Sequence, residues 1–206
     1  AGPITFKQVS SATPQTNQAS VGVGFGAAQT AGDLNVVVVG WNDTTSTVTS
    51  VTDSSGNVYQ LAAPVARSSS TSQAIYFAKN IAANANNTVT VAFNTAAAYV
   101  DLRVLEYSGI DTVNPLDQTA SAVGSSSTAN SGNVTTAAAN ELVFGAGTTT
   151  GVFSGGGSGF TTRIITTPDA DIAEDRIVSA AGSYGATAPQ SGTWVMQVVT
   201  FRGAAQ

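Results

Sequence analysis

The stretch Leu34–Trp41 is the feature that most constrains the fold of this chain. It reads Leu-Asn-Val-Val-Val-Val-Gly-Trp, and four consecutive β-branched valines favour an extended strand over a helix. Side chains alternate across a strand, so two of the valines point to each face, and Leu34 and Trp41 extend the two apolar faces. We therefore predict a central strand that is covered on both sides.

Runs of the same kind recur about every ten residues, separated by Gly, Asn, Asp, Ser and Pro, which is typical of sandwiches and barrels. Helix signals are nearly absent. We predict an all-β fold, an antiparallel β-sandwich of jelly-roll type. The predicted strands lie near 4–9, 20–25, 33–41, 47–52, 57–63, 73–79, 88–94, 99–107, 117–122, 131–136, 141–149, 160–166, 172–178, 182–187 and 193–201.

Two segments of the first half have counterparts in the second half. Ala31–Val36 resembles Ala139–Phe144, since each opens with Ala, one further residue, an acid and Leu. Tyr99–Gly109 resembles Thr193–Gly203 in the same way, as an aromatic-rich strand that ends in Gly. The order is the same and the spacing is similar, which indicates a diverged duplication.

Two arrangements of the pseudo-halves, about 1–110 and 111–206, fit this pattern. One is a pair of Ig-sized domains joined near 111–117, and the other is one sandwich in which each half supplies strands to both sheets. The joining segment 110–117 keeps three apolar residues and does not have the composition of a linker. We therefore favour a single domain over residues 1–206.

The composition excludes several classes of function. The chain has no Cys and no His, which removes thiol chemistry, disulfides and the commonest general base. Only seven residues are basic and the net charge is −5, so we expect no nucleic-acid partner. No apolar run approaches the roughly 20 residues of a membrane-spanning helix, so we expect no membrane insertion. We predict that the chain is not an enzyme.

One acidic run could hold a metal ion. Oxygen ligands at alternate positions can gather around Ca²⁺ when a loop folds back, although the run lacks the spacing of an EF-hand. The alternative is a solvated loop in which an acid pairs with Arg163 or Arg176. Ca²⁺ is the only cofactor that we consider for this chain. The candidate ligands are Asp169, Asp171, Glu174 and Asp175.

Asp101, Arg103 and Glu106 form a second charged group on one predicted strand. Glycosidases need two carboxylates about 5–10 Å apart around a cleft, but alternation puts Asp101 and Glu106 on opposite faces. We therefore predict a cross-strand ion pair. Glu106 lies on an apolar face, so it should be paired or hydrogen-bonded.

Aromatic and glycine-rich segments carry weaker signals. A carbohydrate-binding face needs exposed aromatic rings on one platform, but Trp41 and Trp194 lie in strong strand patterns and should be core residues. Gly155–Gly159 should be a flexible hairpin loop.

The N-terminal strand is a candidate for self-association. Ile4, Phe6 and Val9 could anchor it on the sheet edge of a second copy, because the polar segment that follows could act as a hinge. In the alternative, the strand pairs within its own chain beside the terminal strand 193–201.

Four segments carry a resemblance to known proteins: Val51–Tyr59, Leu105–Gly109, Ala173–Arg176 and Trp194–Gln197. Through them the chain resembles all-β, jelly-roll or Ig-like modules of large secreted or surface proteins of environmental bacteria. The likeness covers nearly all of the chain and implies an extracellular or cell-surface location and a structural or accessory role. We predict a non-catalytic structural module, a surface or fibre subunit that associates with itself through strand edges; a carbohydrate-binding accessory module, with a polysaccharide as partner, is the alternative.

Overall fold

The computed structural model describes residues 2–205 and confirms an all-β, antiparallel sandwich. Each of its strands overlaps one predicted from the sequence. The strands are β1 (Thr5–Ala12), β2 (Gln18–Gly24), β3 (Leu34–Trp41), β4 (Val48–Asp53), β5 (Gln60–Arg67), β6 (Ser72–Ala78), β7 (Thr88–Ala97), β8 (Asp101–Ser108), β9 (Leu116–Gly124), β10 (Thr128–Thr135), β11 (Glu141–Thr149), β12 (Thr161–Ile165), β13 (Ile172–Val178), β14 (Ser183–Pro189) and β15 (Trp194–Arg202).

These strands form four sheets. The first large sheet has the order β1-β8-β3-β6-β5 and the second large sheet has the order β12-β13-β11-β15-β9. The first small sheet is β2-β7-β4 and the second small sheet is β10-β14. Each sheet takes its strands from one half of the chain, so the prediction that each half supplies strands to both sheets is wrong. The number of domains stays a prediction.

Three apolar cores place the sheets in four layers. The central core joins the two large sheets, and Val36, Phe77, Phe144 and Phe201 belong to it. A second core lies between the first large and first small sheets, and a third lies between the second large and second small sheets. Each large sheet is therefore covered on both faces, which explains why every residue of β3 is buried.

The two large sheets have the same strand order and the same register at their centres. Leu34 on β3 lies opposite Tyr107 on β8, and Leu142 on β11 lies opposite Phe201 on β15. Read from β1 and from β9, the strand orders match position by position. This agreement is what a diverged duplication would produce; the duplication and the jelly-roll topology stay predictions.

The predicted core is confirmed. Trp41 and Trp194 are also buried, as predicted. Within residues 2–205 there is no helix of the length and apolarity needed to cross a membrane. The strand pattern of the sequence predicts burial of six further residues, and all six are buried: Val36, Val38, Leu102, Val104, Val195 and Val199.

Candidate functional site

The four acids of the run 169–175 do not converge. Glu174 and Asp175 leave opposite faces of β13, because neighbouring side chains alternate along a strand. Asp169 accepts a hydrogen bond from Gln15 Nε2 at 2.8 Å. Asp171 Oδ1 accepts one from the backbone N–H of Thr149, also at 2.8 Å. Asp169 and Asp171 both lie near the buried Arg103, whereas Glu174 and Asp175 lie apart from each other on the two faces of β13.

Asp175 has the partner that the alternative interpretation predicted. Its two oxygens accept hydrogen bonds from Arg163, one from Nε at 2.7 Å and one from Nη2 at 2.9 Å, so the pair is bidentate. Tyr107 Oη donates to the same carboxylate at 2.6 Å. Among the described residues, no group of three or more acids is close enough to hold a metal ion. The geometry therefore gives the Ca²⁺ prediction no support.

Arg103 joins the two halves through the central core. Its side chain is fully buried, and it leaves β8 toward the second large sheet. Nη1 donates to the backbone oxygens of Gly147 at 3.0 Å and Ile172 at 2.6 Å. Nη2 donates to Thr148 Oγ1 at 3.1 Å. Hydrogen bonds of a buried guanidinium are strong, so this contact fixes the relative position of the two large sheets.

Asp101 supplies the counter-charge of Arg103. Its Oδ1 lies 2.8 Å from Arg103 Nε without the alignment of a directed hydrogen bond, and its Oδ2 accepts from Thr166 Oγ1. The two charges lie two residues apart on β8, so the ion pair is within one strand, and the predicted cross-strand pair is wrong. Burial, and next the charge of Asp101, raises the pKa of Asp171 well above its usual range.

Glu106 is hydrogen-bonded, as predicted. Gln8 Nε2 donates to it at 2.5 Å and the backbone N–H of Thr30 donates at 3.1 Å. Its neighbour Asp33 is buried. Burial, followed by the nearby charge of Glu106, raises the pKa of Asp33 to about 6. Both acids are buried at the end of the central strands.

Aromatic rings do not form a binding platform within the described residues. Tyr99 is 46% exposed and has no second exposed ring beside it. The geometry that a carbohydrate-binding face would need is therefore not built from aromatic side chains here.

The N-terminal strand pairs within its own chain. Its partner is β8 in the first large sheet, and the predicted partner 193–201 is wrong. Ile4 is buried in the central core, and Phe6 and Val9 pack against it. The guanidinium carbon of Arg163 lies 4.1 Å from the centre of the Phe6 ring. The exchange of this strand between copies stays a prediction.

Most strands at the sheet edges carry a β-bulge of their own. One extra residue interrupts β1, β4, β9, β10 and β12, and two interrupt β5. The pairings of the central strands β3 and β11 have no such shift. A bulge twists an edge away from a neighbouring chain, so it protects the edge against pairing with another molecule.

Strand β14 is an edge strand without a bulge. In the matching position of the first small sheet, β7 lies between β2 and β4, whereas β14 pairs with β10 alone. The segment 150–160 lies beside β14 where the first half has β4. There, Phe153 forms an isolated bridge with Gln190, and the backbone N–H of Ser154 donates to the oxygen of Pro189 at 3.1 Å.

Glycines allow this segment to lie against β14. A Cβ added to Gly157 would overlap the backbone oxygen of Thr187, and one added to Gly151 would overlap the backbone oxygen of Ser191. A Cβ added to Gly155, by contrast, would meet no other atom within 4 Å. The predicted flexible hairpin is wrong, because β12 pairs with β13 rather than with β11; the segment is instead a close cover of the β14 edge.

Glu174 lies beneath this cover. Its Oε2 accepts a hydrogen bond from the backbone N–H of Gly157 at 2.7 Å, while its Oε1 is buried without a hydrogen-bond partner among the described residues. Burial raises the pKa of Glu174 to about 7. Sequence reasoning missed this contact, although the three consecutive glycines are its signal.

Comparison with protein-family models, curated proteins and solved structures finds no significant match for this chain. The site is therefore interpreted from its own geometry.

Proposed function

We propose that the chain is a non-catalytic extracellular structural module, a surface or fibre subunit that associates with copies of itself through strand edges. The observation that carries the proposal is the outer edge of β14. It is a regular edge in the half that lacks a counterpart of β4, and it is covered by a glycine-rich segment rather than by a strand.

Charge does not oppose pairing at this edge. Strand β14 reads Ser-Tyr-Gly-Ala-Thr-Ala-Pro and has no charged residue. Lysines and inward-pointing charges are common devices that keep edges apart, and β14 has neither. An antiparallel pair of β14 strands from two copies would be symmetric, and it would join the two second small sheets into one sheet of four strands.

The segment 150–160 must move before this pairing can form. Its backbone contacts with β14 are few, and its glycines give it many alternative conformations when released. Phe153 would leave the third core, so movement has a cost, and that cost keeps the single chain from pairing indiscriminately.

A disulfide bond that holds the segment 150–160 against β14 and can be reduced again tests the proposal. The backbone N–H of Ser191 donates to the oxygen of Val152 at 3.0 Å, so paired Val152→Cys and Ser191→Cys substitutions place two thiols across this contact in a chain that has no other cysteine. Oxidation should hold the cover on β14, and reduction should release it. Sedimentation equilibrium over a wide concentration range then gives the association state of both forms.

We expect the reduced form and the unmodified chain to self-associate and the oxidised form to stay monomeric. Equal association of the oxidised and reduced forms would show that the contact between copies lies at an edge other than that of β14. A chain without residues 1–12 separates the proposal from exchange of the N-terminal strand, because only exchange requires Ile4, Phe6 and Val9. An unmodified chain that is monomeric at millimolar concentration would exclude the structural role.

A further inference from the structure

A pocket on the first half has the features of a ligand site. It lies on the outer side of the first large sheet, between the edge strands β4 and β5, and has a volume of about 200 Å³. A cavity of about 150 Å³ is enough to hold benzene, so this pocket can hold a phenyl ring with a short chain. It is separate from the β14 edge, which belongs to the other half.

The walls of the pocket are largely apolar. Trp41 and Tyr76 form aromatic walls, and Val48, Leu61 and Val65 contribute aliphatic side chains from the two edges. Leu61 and Val65 are each 46% exposed, although both are large apolar residues. An apolar ligand body would remove this surface from water, which is the main source of affinity in small pockets.

Two polar groups in the same pocket lack the partners that they would usually have. The indole N–H of Trp41 is buried and has no acceptor among the described residues, although buried tryptophans usually have one. Arg67 also lines the pocket, and no carboxylate of the described chain forms an ion pair with it.

The guanidinium of Arg67 is held in place. Nη1 donates to Ser72 Oγ at 2.6 Å and Nη2 donates to the backbone oxygen of Ser46 at 2.9 Å. Its carbon lies 5.5 Å from the centre of the Trp41 ring. A guanidinium has five N–H donors, so donors remain for a ligand, and the cation does not need to be ordered when the ligand arrives.

From these contacts we infer that the pocket is a binding site for a small apolar carboxylate, an aryl- or alkyl-carboxylic acid of about ten non-hydrogen atoms. The apolar body lies between Trp41, Tyr76 and the exposed side chains of β5. The carboxylate accepts hydrogen bonds from the donors of Arg67 that the chain leaves free. One carboxylate matches one guanidinium in charge and in planar geometry.

Binding of 4-phenylbutyrate tests the inference. Calorimetric titration and NMR of the Trp41 indole N–H should detect one site in the unmodified chain. The neutral 4-phenylbutyramide and the shorter butyrate should each bind at least about tenfold more weakly, because one lacks the charge and the other lacks the ring.

Variants assign the binding to this pocket. Arg67→Gln should weaken the binding of 4-phenylbutyrate at least about tenfold, and Trp41→Phe should weaken it through loss of apolar surface in the pocket wall. Arg176→Gln is the matched control, because Arg176 also lies over aromatic rings, Phe160 and Tyr184, without an ion pair in the described chain. It should leave binding unchanged. Thermal unfolding of each variant shows whether it is folded.

Three results would overturn the inference. The first is that 4-phenylbutyrate at about 10 mM, at the weak end of measurable affinity, does not bind the unmodified chain. The second is equal affinity for the acid and its amide. The third is an Arg67→Gln variant that is folded and binds 4-phenylbutyrate as tightly as the unmodified chain does. A phenylalanine-terminated peptide that binds tenfold more tightly than 4-phenylbutyrate would replace the free acid with a chain terminus as the ligand.

Discussion

Arg103 on β8 donates a hydrogen bond at 2.6 Å to the backbone oxygen of Ile172 on β13. This contact connects the first half of the chain to the second through a fully buried cation. The carboxylate of Asp101 lies on the same side of β8 and compensates the charge. The energy of the pair depends on both partners being present, because a buried charge without its partner is strongly destabilising.

Replacement of Arg103 by Met should lower the free energy of unfolding by about 3–5 kcal/mol, since it leaves Asp101 buried without its cation. Chemical denaturation of the folded variant measures the loss. The double variant with Asp101→Asn should recover part of the stability. If the two substitutions are simply additive, the pair is not coupled and the interpretation of Arg103 as the link between the sheets is wrong.

The chain should unfold in a single calorimetric transition. The central core includes residues of both halves, and the rings of Phe77 and Phe201 meet across it edge to face, with centroids 5.5 Å apart. Neither half can keep this surface buried if the other unfolds. Calorimetric and van't Hoff enthalpies should therefore agree. Two transitions, each with the enthalpy of one half, would indicate tandem domains.

Millimolar Ca²⁺ should leave the melting temperature unchanged relative to a chelator. A ligand that binds only the folded state raises the melting temperature by mass action, but no three acids of the described residues lie close enough together to hold the ion. Mg²⁺ at the same concentration controls for ionic strength. An increase that is specific for Ca²⁺ and absent in Asp169→Asn would restore the metal site.

The strands could be predicted from the sequence because their signal is local. Four adjacent valines in β3 report strand conformation and burial on both faces without knowledge of any partner. A turn of equally local origin follows β4, where Asp53 Oδ1 accepts hydrogen bonds from the backbone N–H groups of Ser55 at 3.1 Å and Asn57 at 3.0 Å; Asp, Ser, Gly and Asn in sequence are its signal.

Contacts between distant segments could not be predicted in the same way. Arg103 reaches residues 44 and 69 positions away, and nothing near it in the sequence marks those oxygens. The same limit explains the acidic run: four acids in seven residues suggest a cluster, but the alternation of β13 separates Glu174 from Asp175. The Trp41 pocket depends on how far apart β4 and β5 lie, which is a property of two sheets.

Gly157→Ala should destabilise the chain by about 1–3 kcal/mol, because the new Cβ overlaps the backbone oxygen of Thr187 and forces the segment 150–160 away from β14. Gly155→Ala is the matched control, since its Cβ meets open space, and it should change the stability by no more than about 0.5 kcal/mol. If β14 is the association edge, Gly157→Ala should also associate more strongly in sedimentation experiments. Similar behaviour of the two variants would show that the segment does not cover the edge closely.

Glu174 should make the chain less stable as the pH rises from about 4.5 to about 7. Its pKa is raised from 4.5 to about 7 in the folded state, so within this window the folded chain binds more protons than the unfolded chain, and the free energy of unfolding falls as the pH increases. A shift of this size corresponds to up to about 3 kcal/mol, which is fully present as stability below pH 4.5 and lost above pH 7.

Glu174→Gln isolates this contribution from that of other acids, such as Asp33, whose pKa is also raised. Gln keeps an oxygen that can accept from the backbone N–H of Gly157 but does not titrate. Denaturation at pH 4.5 and pH 8 should show a larger loss of stability in the unmodified chain than in Glu174→Gln, with the difference approaching the same value of about 3 kcal/mol. Equal losses in both proteins would mean that Glu174 is already ionised at low pH, and that water reaches its Oε1 because the glycine-rich segment is open.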